Sequence, residues 1–169
     1  MIDPPGLAEF ERTERTFLTK QRPVYRIGST GPGVVLMHEI PGLTPDVPRL
    51  AKLISQSGFR VALPSLFGVD GCAPTGLIDD EELIRMCVSA QFSVFRANRS
   101  SPIVEWLREL CRDLAQETGG PVGAIGLCIT GGFALSLVVD TSGMVRASSF
   151  FVSPGSSRTT RSARSTCDH

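Results

Sequence analysis

The chain has 169 residues, 41% of them hydrophobic and 20% charged, a composition typical of one soluble globular domain that can bury a core. Its 17 Lys and Arg balance its 17 Asp and Glu, so no excess basic field is present to hold nucleic acid or an anionic membrane. The N-terminal residues carry prolines and acids where a signal peptide needs a basic start and an apolar run, so we expect no export signal.

The cysteines predict a reducing compartment. They form an odd set with neither a CxxC pair nor any metal-ligand spacing: Cys72, Cys87, Cys111, Cys128 and Cys167. Such a set is typical of thiols that are not paired in disulfides. We therefore expect a cytoplasmic protein with no metal and no cofactor.

The first elements predict a strand–helix–strand unit. Residues 16–27 suggest an opening pair of short strands, and residues 34–39 (VVLMHE) form an apolar run without alternation, as in a parallel strand covered on both faces. A helix is then expected to begin at Pro45 with Thr44 as its cap. The strand at 59–64 follows, and a βαβ unit places two such strands in parallel.

Further along, residues 68–77 read as a loop and residues 77–92 as a helix with acids in its first turn. A stronger helix opens at Ser101 and Pro102 and ends at the glycines 119 and 120. Its expected apolar stripe is Ile103, Leu107, Leu110 and Leu114. The charged residues expected off that stripe are Arg108, Arg112 and Glu117.

Residues 122–139 carry no charge over about the length of a membrane helix. Glycines within the run favour a buried strand at 122–127 followed by a helix at 130–139 instead. A last strand is expected at 145–152. Alternating strands and helices of this kind predict an α/β fold.

The segment AIGLCITGG, residues 124–132, places Cys128 between a strand and an apolar helix. A tight strand-to-helix turn needs small residues around a nucleophile, and the helix N-terminus favours a thiolate and a developing oxyanion. The alternative is an inert core cysteine, which is a common role for this residue type.

A second segment, HEIPGLTPDV at 38–47, puts Glu39 at the C-terminal end of the first long strand, where open α/β sheets place their ligands. Glu39 within HEIPG and Cys128 within GLCITGG together resemble the dienelactone hydrolase family. The resemblance implies an α/β-hydrolase-like three-layer sandwich with a mostly parallel sheet. It assigns 1–153 to a partial domain of this type, with the C-terminal strands and helix missing. The composition of 154–169, which is rich in Ser, Thr and Arg and has no apolar periodicity, predicts a disordered tail.

The resemblance also implies a chemistry. Glu39 assists deprotonation of Cys128, and the backbone amides of Ile40 and Ile129 form the oxyanion hole. The reaction is hydrolysis of a small-molecule carboxylic ester or lactone through an acyl-thiol intermediate. Thr130 departs from the family's commonest elbow, which has glycine there, and a β-branched residue fits if its φ is negative.

Two other titratable residues are expected to be structural. His38 precedes the nucleophile, whereas this fold orders its residues nucleophile, acid, histidine, so His38 is interpreted as a residue that orients the strand end. Asp140 is interpreted as a cap or solvated end of the nucleophile helix. Arg96 and Arg99 are candidates for contact with a substrate carboxylate, although surface solvation is the commoner role.

In this fold a catalytic acid and a catalytic histidine are expected after Cys128. The downstream residues of these types are only Asp140, Asp168 and His169. We hypothesise a reading frame shifted or truncated near residues 146–155, and hence impaired turnover. The alternative function is a non-catalytic truncated remnant or interaction module; a thiol redox protein would need a resolving cysteine near Cys128. The strand at 145–152, with Phe150 and Phe151, is expected to become a sheet edge through which copies of the chain associate.

Overall fold

The computed structural model describes residues 6–39, 42–67, 70, 102–140 and 144–150. Within these ranges the chain forms one six-stranded sheet and three helices. The strands are β1 (Glu11–Phe17), β2 (Lys20–Ile27), β3 (Gly33–Met37), β4 (Arg60–Pro64), β5 (Val122–Leu127) and β6 (Val145–Phe150). The helices are α1 (Asp46–Gln56), α2 (Pro102–Thr118) and α3 (Thr130–Asp140).

The sheet is mostly parallel. Its order is β1-β2-β4-β3-β5-β6. Strands β3, β4, β5 and β6 pair in parallel, whereas β1 and β2 form an antiparallel hairpin whose second strand runs antiparallel to β4. The βαβ unit expected from the sequence is confirmed, because α1 connects the neighbouring parallel strands β3 and β4.

Helices cover both faces of the sheet, as a three-layer arrangement requires. On one face α1 packs through Val47 and Ala51 onto a buried cluster that includes Tyr25, Leu36, Val61 and Leu63. On the other face α2 and α3 share a cluster that includes Trp106, Leu110, Leu114, Phe133, Val35 and Val122. Since β3 is apolar at every position and buried throughout, the central strand serves both cores.

Two local expectations were wrong. Helix α1 begins at Asp46, with Pro45 as its N-cap residue and no side-chain cap hydrogen bond; the backbone carbonyl of Thr44, not its side chain, accepts from Val47 at 3.1 Å. Arg108 was expected off the apolar stripe of α2, yet it is only 7% exposed and forms an ion pair with Glu105. An arginine can pack its aliphatic stem against apolar surface, so the charge of Arg108 was not sufficient to predict that its side chain is exposed.

Trp106 fastens α2 to the β1–β2 hairpin. Its indole Nε1 donates to the Lys20 carbonyl at 2.9 Å, and its ring meets Phe17 edge-on at 5.4 Å between centroids. The guanidinium of Arg22 lies 5.9 Å from the indole centroid and donates to the Leu66 carbonyl at 2.6 Å. Hairpin, helix and the end of β4 are thereby joined.

The uncharged stretch 122–139 forms β5 and most of α3, as expected, and no helix in the described ranges is long and apolar enough to cross a bilayer. The loop expected at 68–77 falls almost wholly outside the described residues. The helix expected at 77–92 and the tail at 154–169 lie outside them entirely. The domain boundary at 153 therefore remains a prediction.

Candidate active site

Cys128 occupies a left-handed turn between β5 and α3, with φ at 53°. A side chain at positive φ is uncommon and costs backbone energy, so surrounding contacts must hold it there. The turn closes at once: the amide of Gly131 donates to the Cys128 carbonyl at 3.0 Å and that of Gly132 to the Ile129 carbonyl at 3.3 Å. The sequence prediction of a sharp strand-to-helix turn at Cys128 is thus confirmed.

Gly126 allows this turn to be tight. A Cβ added at Gly126 would lie 2.2 Å from the carbonyl oxygen of Thr130, which is far inside contact distance. The strand before Cys128 therefore packs directly against the backbone of the first turn of α3. Only glycine leaves room for that approach.

Glu39 follows the strand next to Cys128. Strands β3 and β5 pair in parallel, and their last matched residues are Met37 and Gly126. Glu39 and Cys128 each come two residues later, so both leave the sheet at the same rim, where α/β folds gather their site residues. The expected adjacency of the two strand ends is confirmed, whereas the catalytic roles remain predictions.

The environment of Glu39 favours proton acceptance. Its side chain is half-buried, and burial raises the pKa of this carboxyl above its usual value, with the nearby charge of Asp46 acting in the same direction. A carboxylate that is harder to keep ionised is a stronger base toward a neighbouring thiol.

His38 is a buried structural histidine. Its Nδ1 lies 2.8 Å from the Glu39 carbonyl and its Nε2 accepts from the Leu66 amide at 2.9 Å, so the neutral ring carries its proton on Nδ1. Burial lowers the pKa of His38, which favours that neutral form. The ring also meets Phe67 edge-on at 4.6 Å. Both ring nitrogens of His38 contact backbone groups, which agrees with the sequence interpretation that this residue orients the strand end.

A polar cluster behind His38 was not expected from the sequence. Asp70 accepts from the Tyr25 hydroxyl at 2.8 Å and from the Ser65 hydroxyl at 2.7 Å. Burial, followed by the bond to Asp70, raises the pKa of Tyr25 to about 12. The cluster fixes the turn after β4 that presents the Leu66 amide to His38. Residues 45 apart in sequence meet here, and no local pattern could have indicated it.

Thr130 is the first residue of α3 and is wholly buried. It is not among the described non-glycine residues with positive φ, which are Leu18, Thr19 and Cys128, so the β-branched side chain fits the turn as the sequence required. Its hydroxyl lies 3.0 Å from the Met37 carbonyl and 2.8 Å from the Leu127 carbonyl. It thus spans the ends of β3 and β5.

The remaining sequence candidates fall into two groups. Ile129 is described and half-buried within the Cys128 turn. Those outside the described residues are Ile40, Arg96, Arg99, Phe151, Asp168 and His169. Cys111 is a core thiol whose pKa burial raises to about 12, in keeping with an inert role. Over the described ranges no group of His, Cys, Asp and Glu could hold a metal ion.

A cavity of about 430 Å³ lies far from this rim. Its lining residues are Arg112, Ala115, Gln116, Gly120, Pro121 and Met144. Pro121 and Met144 precede β5 and β6, so the cavity opens at the amino ends of the parallel strands. The candidate nucleophile lies at the opposite ends.

A mostly parallel sheet covered on both faces, with a strained residue at a strand-to-helix turn, defines an α/β-hydrolase fold. The family model for the dienelactone hydrolase family matches residues 21–167, so the chain belongs to the dienelactone hydrolase family. No curated protein sequence matches the chain.

Solved structures agree on the fold. An esterase described as cold-adapted, from an Arctic intertidal metagenomic library, superposes with a TM-score of 0.54 at 15% identity, over 83% of this chain and 61% of that one. A protein designated m3DLH superposes with a TM-score of 0.51 at 19% identity, over 83% of this chain and 58% of that one. The thioesterase domain from the curacin biosynthetic pathway superposes with a TM-score of 0.51 at 15% identity, over 80% of this chain and 41% of that one. The chain thus spans 41 to 61% of the lengths of these structures.

Proposed function

We propose that this chain cleaves small carboxylic esters or lactones with Cys128 as nucleophile. The observation that carries the proposal is the φ of 53° at Cys128, in a turn that leaves the sheet beside the strand carrying Glu39. Strain of this kind persists only where surrounding structure enforces it, and it is concentrated at functional sites. Membership of the dienelactone hydrolase family supports a hydrolase.

The reaction runs in two halves. In the first, Glu39 takes the thiol proton, Sγ bonds to the acyl carbon, and the alcohol oxygen leaves with that proton. In the second, water attacks the acyl-thiol, releasing the carboxylic acid and restoring the thiol. The amide of Ile129, at the N-terminus of α3, and that of Ile40 would bind the negative oxygen formed in each half. A charged oxygen at this position is also favoured by the helix dipole.

The two halves need not be equally fast. Deacylation needs a base to activate water, and His38, the one histidine in the described part of the chain, has both nitrogens bonded to backbone. We infer that acylation is faster than deacylation, so that an acyl-thiol accumulates. The alternative function, a non-catalytic interaction module, predicts no acylation at Cys128.

The test uses an activated aryl ester, p-nitrophenyl acetate, under single-turnover and multiple-turnover conditions. We expect a burst of p-nitrophenolate of one equivalent per chain followed by a slow steady rate. The burst should be absent in Cys128→Ala and retained in Cys111→Ala, which removes the buried thiol. Intact-mass measurement should show one added acetyl group. An equal burst in Cys128→Ala would refute the proposal.

We also propose that the protein works in a reducing compartment such as the cytoplasm. Both described cysteines, Cys111 and Cys128, carry thiols and not disulfides, and a thiol nucleophile must stay reduced to react. Peroxide should therefore abolish the burst and dithiothreitol should restore it.

A further inference from the structure

The Thr130 hydroxyl occupies a place that links both halves of the candidate site. It is wholly buried and lies within hydrogen-bond distance of the last carbonyls of β3 and β5, those of Met37 and Leu127. Leu127 directly precedes Cys128, and Met37 lies two residues before Glu39. The single hydroxyl proton serves two acceptors, so one side chain ties the two strand ends together.

The tie acts where backbone pairing stops. The β3–β5 ladder ends at the pair Met37 and Gly126, and past this pair β5 turns into α3 while β3 runs on to Glu39. The Thr130 hydroxyl continues the connection one step further, in place of the next ladder bond. Thr130 therefore restrains the Cys128 turn relative to the strand end carrying Glu39.

We propose that Thr130 is a positioning residue, whose hydroxyl, bonded to the carbonyls of Met37 and Leu127, fixes the spacing between the thiol of Cys128 and the carboxylate of Glu39. The inference rests on the proposed function, since it assumes that these two groups react together. It also gives a role to a residue that departs from the glycine of the commoner elbow. Displacement of reacting groups by about 1 Å can slow a reaction by about a hundredfold.

The first experiment removes the hydroxyl and keeps the shape. Thr130→Val leaves the side-chain volume almost unchanged but cannot donate. We expect its single-turnover acylation by p-nitrophenyl acetate to fall at least about tenfold. The pH profile of iodoacetamide alkylation at Cys128 should also shift to lower pH, because a thiolate farther from the Glu39 carboxylate meets less repulsion from its negative charge.

The matched control is Thr118→Val. Thr118 ends α2, before the amino end of β5, and its hydroxyl donates to the Leu114 carbonyl of the same helix at 2.8 Å, so the variant also removes a threonine hydroxyl bonded to a carbonyl but leaves β3 and β5 untouched. Its acylation rate should stay within about twofold of the native rate. If Thr130→Val does not fold, Thr130→Ser and Thr130→Ala replace it, because they differ in the hydroxyl and share the loss of the methyl group. The serine variant should then react at least about tenfold faster than the alanine variant.

A double-mutant cycle separates positioning from general support. If Thr130 acts by fixing Glu39 relative to Cys128, Thr130→Val should slow the reaction much less in a Glu39→Gln background. Equal losses in both backgrounds, or a Thr130→Val protein as fast as the native one, would overturn the inference. Failure of the proposed function has a different signature, namely a Cys128→Ala protein that is acylated as fast as the native one.

Discussion

His38 accepts a hydrogen bond from the backbone amide of Leu66 at 2.9 Å, across 28 residues of sequence. Through its other nitrogen it contacts the carbonyl of Glu39 at 2.8 Å. The neutral ring thus connects the residues that follow β4 and β3, and one of these is Glu39, the proposed base. Acid should break the bond to Leu66, because a protonated ring no longer accepts a hydrogen bond at Nε2.

The first prediction is a loss of stability as pH falls. Burial holds the pKa of His38 below its ordinary value in the folded state, while the unfolded chain retains about 6.5. Between those values the unfolded state binds more protons, so the stability contributed by neutral His38 is complete above about pH 6.5 and is lost below it. Urea unfolding from pH 8 to 5 should show this decline.

His38→Gln is the informative variant, since its amide oxygen can still accept from Leu66 but does not titrate. Its unfolding free energy should decline less over this range. The pKa of Glu39 is raised by burial, which gives a contribution of opposite sign, so the comparison is repeated in a Glu39→Gln background. Parallel slopes in the native chain and His38→Gln would contradict the assignment.

The second prediction contrasts two glycines six residues apart. A Cβ at Gly126 would meet the Thr130 carbonyl oxygen at 2.2 Å, whereas one at Gly132 would meet nothing within 4 Å. Gly126→Ala should therefore force the turn open, lower the unfolding free energy by at least about 2 kcal/mol and abolish the burst. Gly132→Ala, within α3, should be neutral or stabilising by up to about 1 kcal/mol. Chemical denaturation of both variants decides, and equal stabilities would show that the turn is not tight.

The third prediction concerns strain at the nucleophile. Because Cys128 has φ at 53°, Cys128→Gly should be more stable than Cys128→Ala by about 0.5–1 kcal/mol, the reverse of the usual order of these residues. Both variants lack the thiol, so packing of sulfur cancels in the comparison. A more stable alanine variant would be inconsistent with a left-handed turn.

The fourth prediction is self-association. In the described sheet β6 pairs with β5 alone and so forms one end of the order, and nearby apolar side chains are 39 to 42% exposed at Leu135, Val138 and Met144. An open strand edge beside an apolar patch favours contact with a second copy. Size-exclusion chromatography at micromolar concentration should show dimers or larger species.

A double variant, Leu135→Lys with Val138→Lys, tests which surface is used. Both residues are exposed, and Leu53→Lys on α1, 61% exposed in the native chain, is the control. A shift to monomer assigns the contact to the patch, and retained association assigns it to the β6 edge. A sharp monomer peak with a cooperative melt in the native chain would refute self-association.

The order of strands and helices followed from sequence because hydrophobic period and glycine placement are local properties. The placement of Glu39 and Cys128 after neighbouring strand ends followed too, since parallel βαβ units bring strand ends to one rim. The long-range partners of His38 and Thr130, which are Leu66 and Met37, did not follow, because those two bonds join residues 28 and 93 apart and depend on side-chain direction after the strands have paired. The burial of Arg108 was not predicted for a similar reason: the helical pattern shows that the residue is charged but not which neighbours cover its aliphatic stem.

Trp106 is the only tryptophan of the chain, is 1% exposed, and bonds through its indole to the hairpin that it covers. Its fluorescence is therefore an intrinsic gauge of whether α2 remains docked on β1 and β2. Native emission should be blue-shifted, and release of the helix should move it to longer wavelength without any added dye. Comparing that optical transition with the change in thiol reactivity at Cys128 would reveal whether the docked helix α2 and the Cys128 turn unfold as one unit or in succession.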